Sequence, residues 1–189
     1  MAVNMMVVII LAVLSAKSSG LKVRLNNMRK ILFRGFHECE NGKSKVFVNG
    51  KWINGDWVYG DLLQEHRKSD NSVFDTETVY IHDYSFRNGD FVGSREKVTP
   101  STVCQYTGLT DNNKNKAFKG DISIDSQMRK WVVFCCAGGF GICRDNEWAV
   151  TNGNPVIYVG LSDKQNASWF TADHKIIGNI HDNPILITQ

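Results

Sequence analysis

The sequence predicts a mainly β protein. Turn-forming residues recur roughly every eight to twelve positions, as in proteins built of short strands. No segment keeps a helical period for long. Asn49-Gly50 and Asn54-Gly55 each provide a strong hairpin signal, because a type I′ turn needs positive φ at both central residues. Residues 28–97 are therefore predicted to be rich in β-hairpins.

The C-terminal half contains a series of short apolar segments separated by tight turns. Between residues 98 and 189 lie five or six such segments, too close together for crossover helices. This spacing favours a small closed barrel of SH3 type over a sandwich. Within it, Gly120-Asp121 is predicted to be a turn that leads into a strand, with Ile122 and Ile124 on one face and Ser123 on the other.

Two further segments predict strands by alternation. In residues 29–35, Ile31 and Phe33 share one face, and Leu32 and Arg34 share the other. In "ETVYIHDYSF", Val79 and Ile81 face one way, and Tyr80 and His82 face the other. His82 and Asp83 would therefore point apart, so we expect a solvated imidazole rather than a catalytic dyad.

The N-terminus differs from the rest of the chain. Its apolar run from Met5 to Leu14 is too short for a membrane-spanning helix, which needs roughly 20 residues. It resembles the core of a signal peptide followed by small residues, but no Lys or Arg precedes it. The favoured interpretation is a natural start at Met28, with residues 1–27 as an upstream extension or loosely attached helix. Export directed by residues 1–16 is the less favoured alternative, so a cytoplasmic protein without stable membrane insertion is expected.

The charge balance argues against an obvious nucleic-acid footprint. The net charge is +3, with 22 basic and 19 acidic residues, and residues 1–27 contain three basic residues and no acidic ones. Residues 28–189 are therefore neutral, whereas nucleic-acid binders usually gather a basic excess on one face. A basic patch formed only in the folded protein stays open as an alternative.

The five cysteines show no C-x-x-C pair and no His at zinc-ligand spacing. We expect them to be small buried hydrophobic residues in a reducing cytoplasm, with no metal and no cofactor. The Gly-rich segment at Gly138, Gly139 and Gly141 could hold a phosphate on its amides, but it lacks a following helix or Lys. A strand bend or bulge is the preferred interpretation.

No established catalytic motif is present, so no catalytic residue is predicted. Five side chains could build a hydrolytic or metal site only if the fold brought them together: Asp121, Asp173, Asp182, His174 and His181. Aspartates are common in turns, and "GNIHDNP" at residues 178–184 is a chain of turn formers. A structural role is therefore expected for these residues.

Four sequence blocks together resemble the YopX-like family of phage and prophage proteins. They are "RKILFRG" at 29–35, "GDWVYGDL" at 55–62, "QYTGLTDNNKNKAFKGDI" at 105–122 and "IIGNIHDNPIL" at 176–186. The resemblance implies a start near Met28, an SH3-type barrel in the C-terminal half and a bacterial cytoplasm. It brings no catalytic residue, cofactor or ligand.

The chain departs from the family pattern in two places. Asn113-Lys114 stands where the family usually has Asn-Gly, and Lys tolerates positive φ poorly. We expect either a loop displaced by one residue or a different bend. The segment from His37 to Ile53 also looks longer than usual, as though one of the two Asn-Gly hairpins were inserted.

We therefore expect a non-enzymatic module that binds a host or phage protein, and an exposed aromatic patch of Trp52, Trp57 and Tyr59 would distinguish it. Packing in the core or across strands is the commoner role of such aromatic residues. The alternative is a nucleic-acid-associated protein. It would use these basic residues as phosphate contacts: Arg29, Lys30, Arg34, Lys114, Lys116 and Lys119. The third hypothesis is that the chain is an enzyme.

Overall fold

The structure is a computed structural model, and it describes residues 31–67, 76–87, 90–136 and 138–187. Residues 31–189 make up one compact unit. The predictions for residues 1–27, for the start at Met28 and for Arg29 and Lys30 lie outside the described residues.

The first sheet is antiparallel and includes strands from both sides of residue 98. Its strands are β1 (Phe33–Glu38), β2 (Ser44–Val48), β3 (Lys51–Arg67), β4 (Thr76–Arg87), β5 (Asp90–Lys97), β6 (Thr99–Thr110) and β7 (Lys116–Phe118). Their order is β5-β4-β3-β1-β6-β7, and β2 pairs with β3. The long strand β3 pairs in turn with β2, β1 and β4.

The second sheet is also antiparallel and carries two short helices in its connections. Its strands are β8 (Asp121–Ile124), β9 (Lys130–Cys136), β10 (Gly139–Arg144), β11 (Val159–Gly160) and β12 (Lys175–Asn179), in the order β11-β10-β9-β8-β12. The helices are α1 (Asp145–Val150) and α2 (Lys164–Asp173), and a 3₁₀ turn spans Pro184–Leu186.

The mainly β class is confirmed, but the SH3-type barrel is not. Among the described residues, neither sheet closes on itself. Strand β6 pairs with β1, and β7 pairs with β6, so both belong to the first sheet rather than to the second. Between β10 and β12 the chain forms α1, the short strand β11 and α2. Most residues of this segment therefore cannot contribute strands to a barrel.

The sequence pattern did not predict helix α2 because little of it is apolar. Phe170 is the helix residue that is fully buried, with Trp169 packed beside it against the core. A face this narrow gives almost no helical periodicity. The sequence feature that could have predicted α2 is its N-cap residue, Asp163. The Asp163 carboxylate accepts hydrogen bonds from the amides of Gln165 and Asn166.

The two Asn-Gly dipeptides have different roles. Asn49 and Gly50 have φ values of 50° and 79° and form the predicted turn between β2 and β3. The second predicted turn is wrong, because Asn54 and Gly55 lie inside β3. A Cβ on Gly55 would approach the carbonyl oxygen of His37 to 2.1 Å, so this glycine permits close strand contact.

Burial confirms several predicted strand faces. Val79 and Ile81 in β4 are buried together, while His82 is half-buried rather than solvated. The glycine-rich segment forms the β9–β10 hairpin, with Gly138 at φ 83° in its turn. Cys104 and Cys143 are buried as predicted, but Cys39 and Cys136 are half-buried and Cys135 is exposed, so the prediction of burial is wrong for three of the five cysteines.

The polar loop between β6 and β7 is built around Asp111, which is fully buried. Its carboxylate accepts hydrogen bonds from the amides of Asn113, Asn115 and Ile176. Burial opposes ionisation of Asp111, but these hydrogen bonds hold its pKa below the usual range. The loop keeps the bend expected of a glycine, because Lys114 takes a φ of 69°.

Replacing Lys114 by Gly should relieve this conformation. We expect the free energy of unfolding to rise by about 0.5–1 kcal/mol, because the left-handed region is strained for Lys and not for Gly. Urea denaturation of the chain measures the change. Asn113→Gly is the matched control, since Asn113 has no positive φ, and it should give no gain. Equal effects of the two substitutions would contradict the assignment of strain to Lys114.

Candidate functional site

The four sequence blocks meet at a buried arginine. Arg34 on β1 is 7% exposed, and its Nη2 lies 2.5 Å from Asp121 Oδ1 on β8. Its guanidinium also stands over the rings of Trp57 and Phe118, at 4.8 and 4.7 Å from their centroids. We call Arg34, Trp57, Asp121, Asn179 and Asp182 the Arg34 centre.

Asp121 fixes the turn that precedes its own strand. Its second carboxylate oxygen accepts a hydrogen bond of 2.7 Å from the Phe118 amide. Gly120 lies in that turn with a φ of 83°, donates its amide to Val133 and accepts from the Ile180 amide. The predicted turn before β8 is therefore confirmed, and its aspartate also bonds to the first sheet.

Asp182 ties the C-terminal turn to the same centre. Its carboxylate accepts hydrogen bonds from Trp57 Nε1, at 3.1 and 3.0 Å, and from Asn179 Nδ2, at 2.6 Å. Asn179 Oδ1 in turn accepts from the amides of His181 and Asp182. The "GNIHDNP" segment forms the predicted turn, and the side chains of Asn179 and Asp182 are hydrogen-bonded within the fold.

Burial governs the titration of this centre. Desolvation opposes the positive charge of Arg34. The Asp121 carboxylate outweighs this effect and raises the pKa of Arg34 above its ordinary value. Burial raises the pKa of Asp182. Burial, with the nearby charges of Arg34 and Lys119, lowers the pKa of His181 to about 4. His181 is therefore neutral near pH 7.

The five candidate acid and base residues do not form one site. Asp121 and Asp182 belong to the Arg34 centre, with His181 packed against the ring of Trp57. His174 follows α2, where its Nδ1 shares a hydrogen bond of 3.0 Å with Ser123 Oγ. Both of these side chains are fully buried, so the Ser–His pair has no access to a substrate.

Aromatic rings enclose His174. Its ring stacks on Phe170 at 4.8 Å and meets Trp169 edge-on at 4.6 Å between centroids. Its Nε2 is buried without a hydrogen-bond partner. Burial lowers the pKa of His174 to about 4. The sequence offered no signal for this pairing, because Ser123 lies on β8 and His174 lies between α2 and β12, 51 positions further along the chain.

A surface cleft lies beside the first residues of β3. It has a volume of about 780 Å³ and is lined by residues 37–40, 52–54 and 97–100. Trp52 forms part of its wall, is 56% exposed and contacts Phe47 at 5.4 Å between ring centroids. His37 Nδ1 hydrogen-bonds the Lys97 carbonyl oxygen across the cleft at 2.9 Å. We call this the Trp52 cleft.

The expected patch of Trp52, Trp57 and Tyr59 does not form. Trp52 and Trp57 are five residues apart on one strand, and odd spacing places them on opposite faces. Trp57 is half-buried in the Arg34 centre, and Tyr59 packs near Phe118 on the same face. The exposed aromatic pair is instead Trp52 with Phe47.

The expected basic set is also divided. Arg34 is buried in its ion pair and cannot contact a phosphate. Lys114 lies in the loop before β7, Lys116 begins that strand and Lys119 follows it. All three are exposed.

Within the described ranges, no cluster of three or more His, Cys, Asp or Glu side chains could bind a metal ion. In the same part of the chain, every helix is too short or too polar to cross a membrane.

The Arg34–Asp121 pair should dominate local stability. Arg34→Met or Asp121→Asn alone should lower the free energy of unfolding by about 3–5 kcal/mol, because each leaves a buried group without its partner. The double variant Arg34→Met/Asp121→Asn should lose clearly less than the sum of the two. Chemical denaturation of all four proteins gives the coupling energy. Additive losses would show that the two side chains do not act as a pair.

The buried histidines should make stability depend on pH. Their folded pKa values of about 4 lie below the ordinary 6.5, so the unfolded state takes up protons first as pH falls. Stability should therefore be complete above pH 6.5 and should fall toward pH 4, by about 2–3 kcal/mol for each histidine. Urea denaturation between pH 4 and 7 measures the profile. His174→Gln should remove about half of this dependence, and an unchanged profile would contradict the assignment.

Comparison with known proteins places the chain in a family. No curated protein matches it. The crystal structure of protein EF1440 from Enterococcus faecalis matches with a TM-score of 0.40 and 16% identity, covering 84% of this chain and 98% of that one. A similarity of that size carries no information about function. The family model described as YopX protein matches residues 50–188. This chain belongs to the YopX family.

Proposed function

We propose that the chain is a non-enzymatic interaction module that binds a host or phage protein through the Trp52 cleft, in the cytoplasm of a bacterium. The observation that carries this proposal is the position of Trp52, which is 56% exposed on the wall of a cleft of about 780 Å³.

The chemistry of Trp52 supports a protein partner. Tryptophan combines a large apolar ring with one hydrogen-bond donor, and it is enriched among the residues that contribute most to protein interfaces. Phe47 is 41% exposed beside it, which extends the apolar surface at the cleft mouth. A partner that covers both rings would remove apolar area from water.

The buried polar groups support a non-enzymatic role. Asp121 and Asp182 bind Arg34 and Trp57, while Ser123 and His174 bind each other. A general acid or base has to reach the proton that it transfers. These side chains are instead enclosed and paired within the fold.

The test is capture of a partner from nuclease-treated extracts of lysogenic bacteria, with wild-type and variant chains as bait. Trp52→Ala should reduce recovery of the protein partner at least about tenfold, as for a central interface tryptophan. The matched control is Ile157→Ala, since Ile157 is 76% exposed on a loop that leads into the second sheet. It should leave recovery unchanged.

Two outcomes would overturn the proposal. Equal recovery of the partner by wild type and Trp52→Ala would show that the cleft is not the binding surface. Without nuclease, recovery of nucleic acid alone, released by high salt, would favour the nucleic-acid alternative through Lys114, Lys116 and Lys119.

A further inference from the structure

Two carboxylates and one ammonium group line the Trp52 cleft, those of Glu38, Glu40 and Lys97, and the exposed Lys45 pairs with Asn54 of its wall. Glu38 and Glu40 are exposed and line it, and Glu96 Oε2 lies 3.7 Å from Nδ1 of the lining residue His37. Lys97 supplies a positive charge at the cleft. Carboxylates beside an aromatic wall favour a cation and disfavour a phosphate.

A carboxylate together with an aromatic ring binds arginine elsewhere in this fold. Arg34 pairs with Asp121 and stands over Trp57 at 4.8 Å. Arg129 pairs with Asp125 at 2.6 Å and lies over Trp131 at 5.7 Å.

A third example lies on the surface. Arg95 pairs with Glu65 and stands over the ring of Tyr80 at 3.8 Å. In all three cases a planar guanidinium contacts an aromatic face and a carboxylate together, as its flat shape and fixed donors allow.

The Trp52 cleft presents these two elements, an indole face and carboxylates, on the outer surface. We propose that the cleft binds an arginine side chain from a segment of the partner protein, with the guanidinium over Trp52 and paired with Glu38 or Glu40. This inference rests on the proposed function, because it assigns the chemistry of the partner at the same cleft. Arginine is preferred to lysine, since the ammonium group of lysine neither stacks nor bonds in a bidentate manner.

The test uses defined peptides rather than the unidentified partner. The probes are acetyl-Gly-Arg-Gly-Arg-Gly-amide and its Lys and Glu counterparts, added to the full chain labelled with ¹⁵N at the tryptophan indoles. The Trp52 indole signal is assigned by its loss in Trp52→Phe. The Arg peptide should shift this signal saturably, the Lys peptide more weakly and the Glu peptide not at all. Added salt should weaken binding of the Arg peptide, because salt screens the attraction between exposed charges.

Variants identify the carboxylates. The double variant Glu38→Gln/Glu40→Gln should bind the Arg peptide about fivefold more weakly, as expected for the loss of one or two exposed ion pairs. The control is Glu147→Gln on α1, where Oε1 still accepts from the Val156 amide, and it should bind as wild type does. An equal loss in the control would overturn the proposal. So would equal shifts by the Arg and Glu peptides, or no Trp52 shift with the Arg peptide.

The outcomes separate this inference from the proposed function. If Trp52→Ala loses the captured partner but the Arg peptide leaves Trp52 unshifted, the arginine assignment fails and the protein-binding module stands. If the Arg peptide shifts Trp52 but the variant retains its partner, the proposed function fails and arginine recognition stands. A Trp52 signal that moves with protein concentration alone would assign the cleft to a second copy and overturn the arginine assignment.

Discussion

The ion pair between Arg34 and Asp121 links the two sheets of the fold. Arg34 belongs to β1 of the first sheet and Asp121 begins β8 of the second, and both side chains are buried. Removing two charges from water is costly, and the cost is offset only when geometry and further contacts are favourable. Here the Trp57 and Phe118 rings flank the guanidinium, and the Phe118 amide binds the carboxylate. The position of β1 on β8 is therefore tightly specified.

This constraint connects sequence blocks that lie far apart in the chain. Trp57, Asp121 and Asp182 lie within the range matched by the family model, residues 50–188, and Arg34 precedes it. Arg34 pairs with Asp121, both buried, and the half-buried Trp57 donates a hydrogen bond to the half-buried Asp182. Part of the wall of the Trp52 cleft comes from residues 37–40, outside the matched range, and the rest comes from residues 52–54 and 97–100 within it. The Trp52 cleft shares no lining residue with the Arg34 centre.

Local patterns predicted the features that depend on neighbouring residues. The Asn49-Gly50 turn and the buried face of Val79 and Ile81 follow from backbone preference and alternation. Asn54-Gly55 has the same local signal, but tertiary packing places it inside β3, where Gly55 allows close approach of His37. Helix α2 has only a narrow apolar face, so its sequence shows no helical periodicity of apolar residues.

The candidate site depended on contacts that no local pattern contains. Arg34 and Asp121 are 87 positions apart, and Trp57 and Asp182 are 125 apart. In the sequence, Arg34 is one charged residue in an alternating strand and Asp121 is one turn aspartate. The Trp52 cleft likewise combines three separate segments, and its exposed aromatic partner, Phe47, was not among the predicted residues.

Residue-resolved native-state hydrogen exchange tests most directly whether the Arg34 centre joins the two sheets into one cooperative unit. Under conditions where exchange reports the opening equilibrium, the slowest amides of β4 and of β9, such as Ile81 and Val132, should share one opening free energy. Arg34→Met should lower both by the same amount. Loss of protection in only one sheet, or different opening energies in the wild-type chain, would contradict the account.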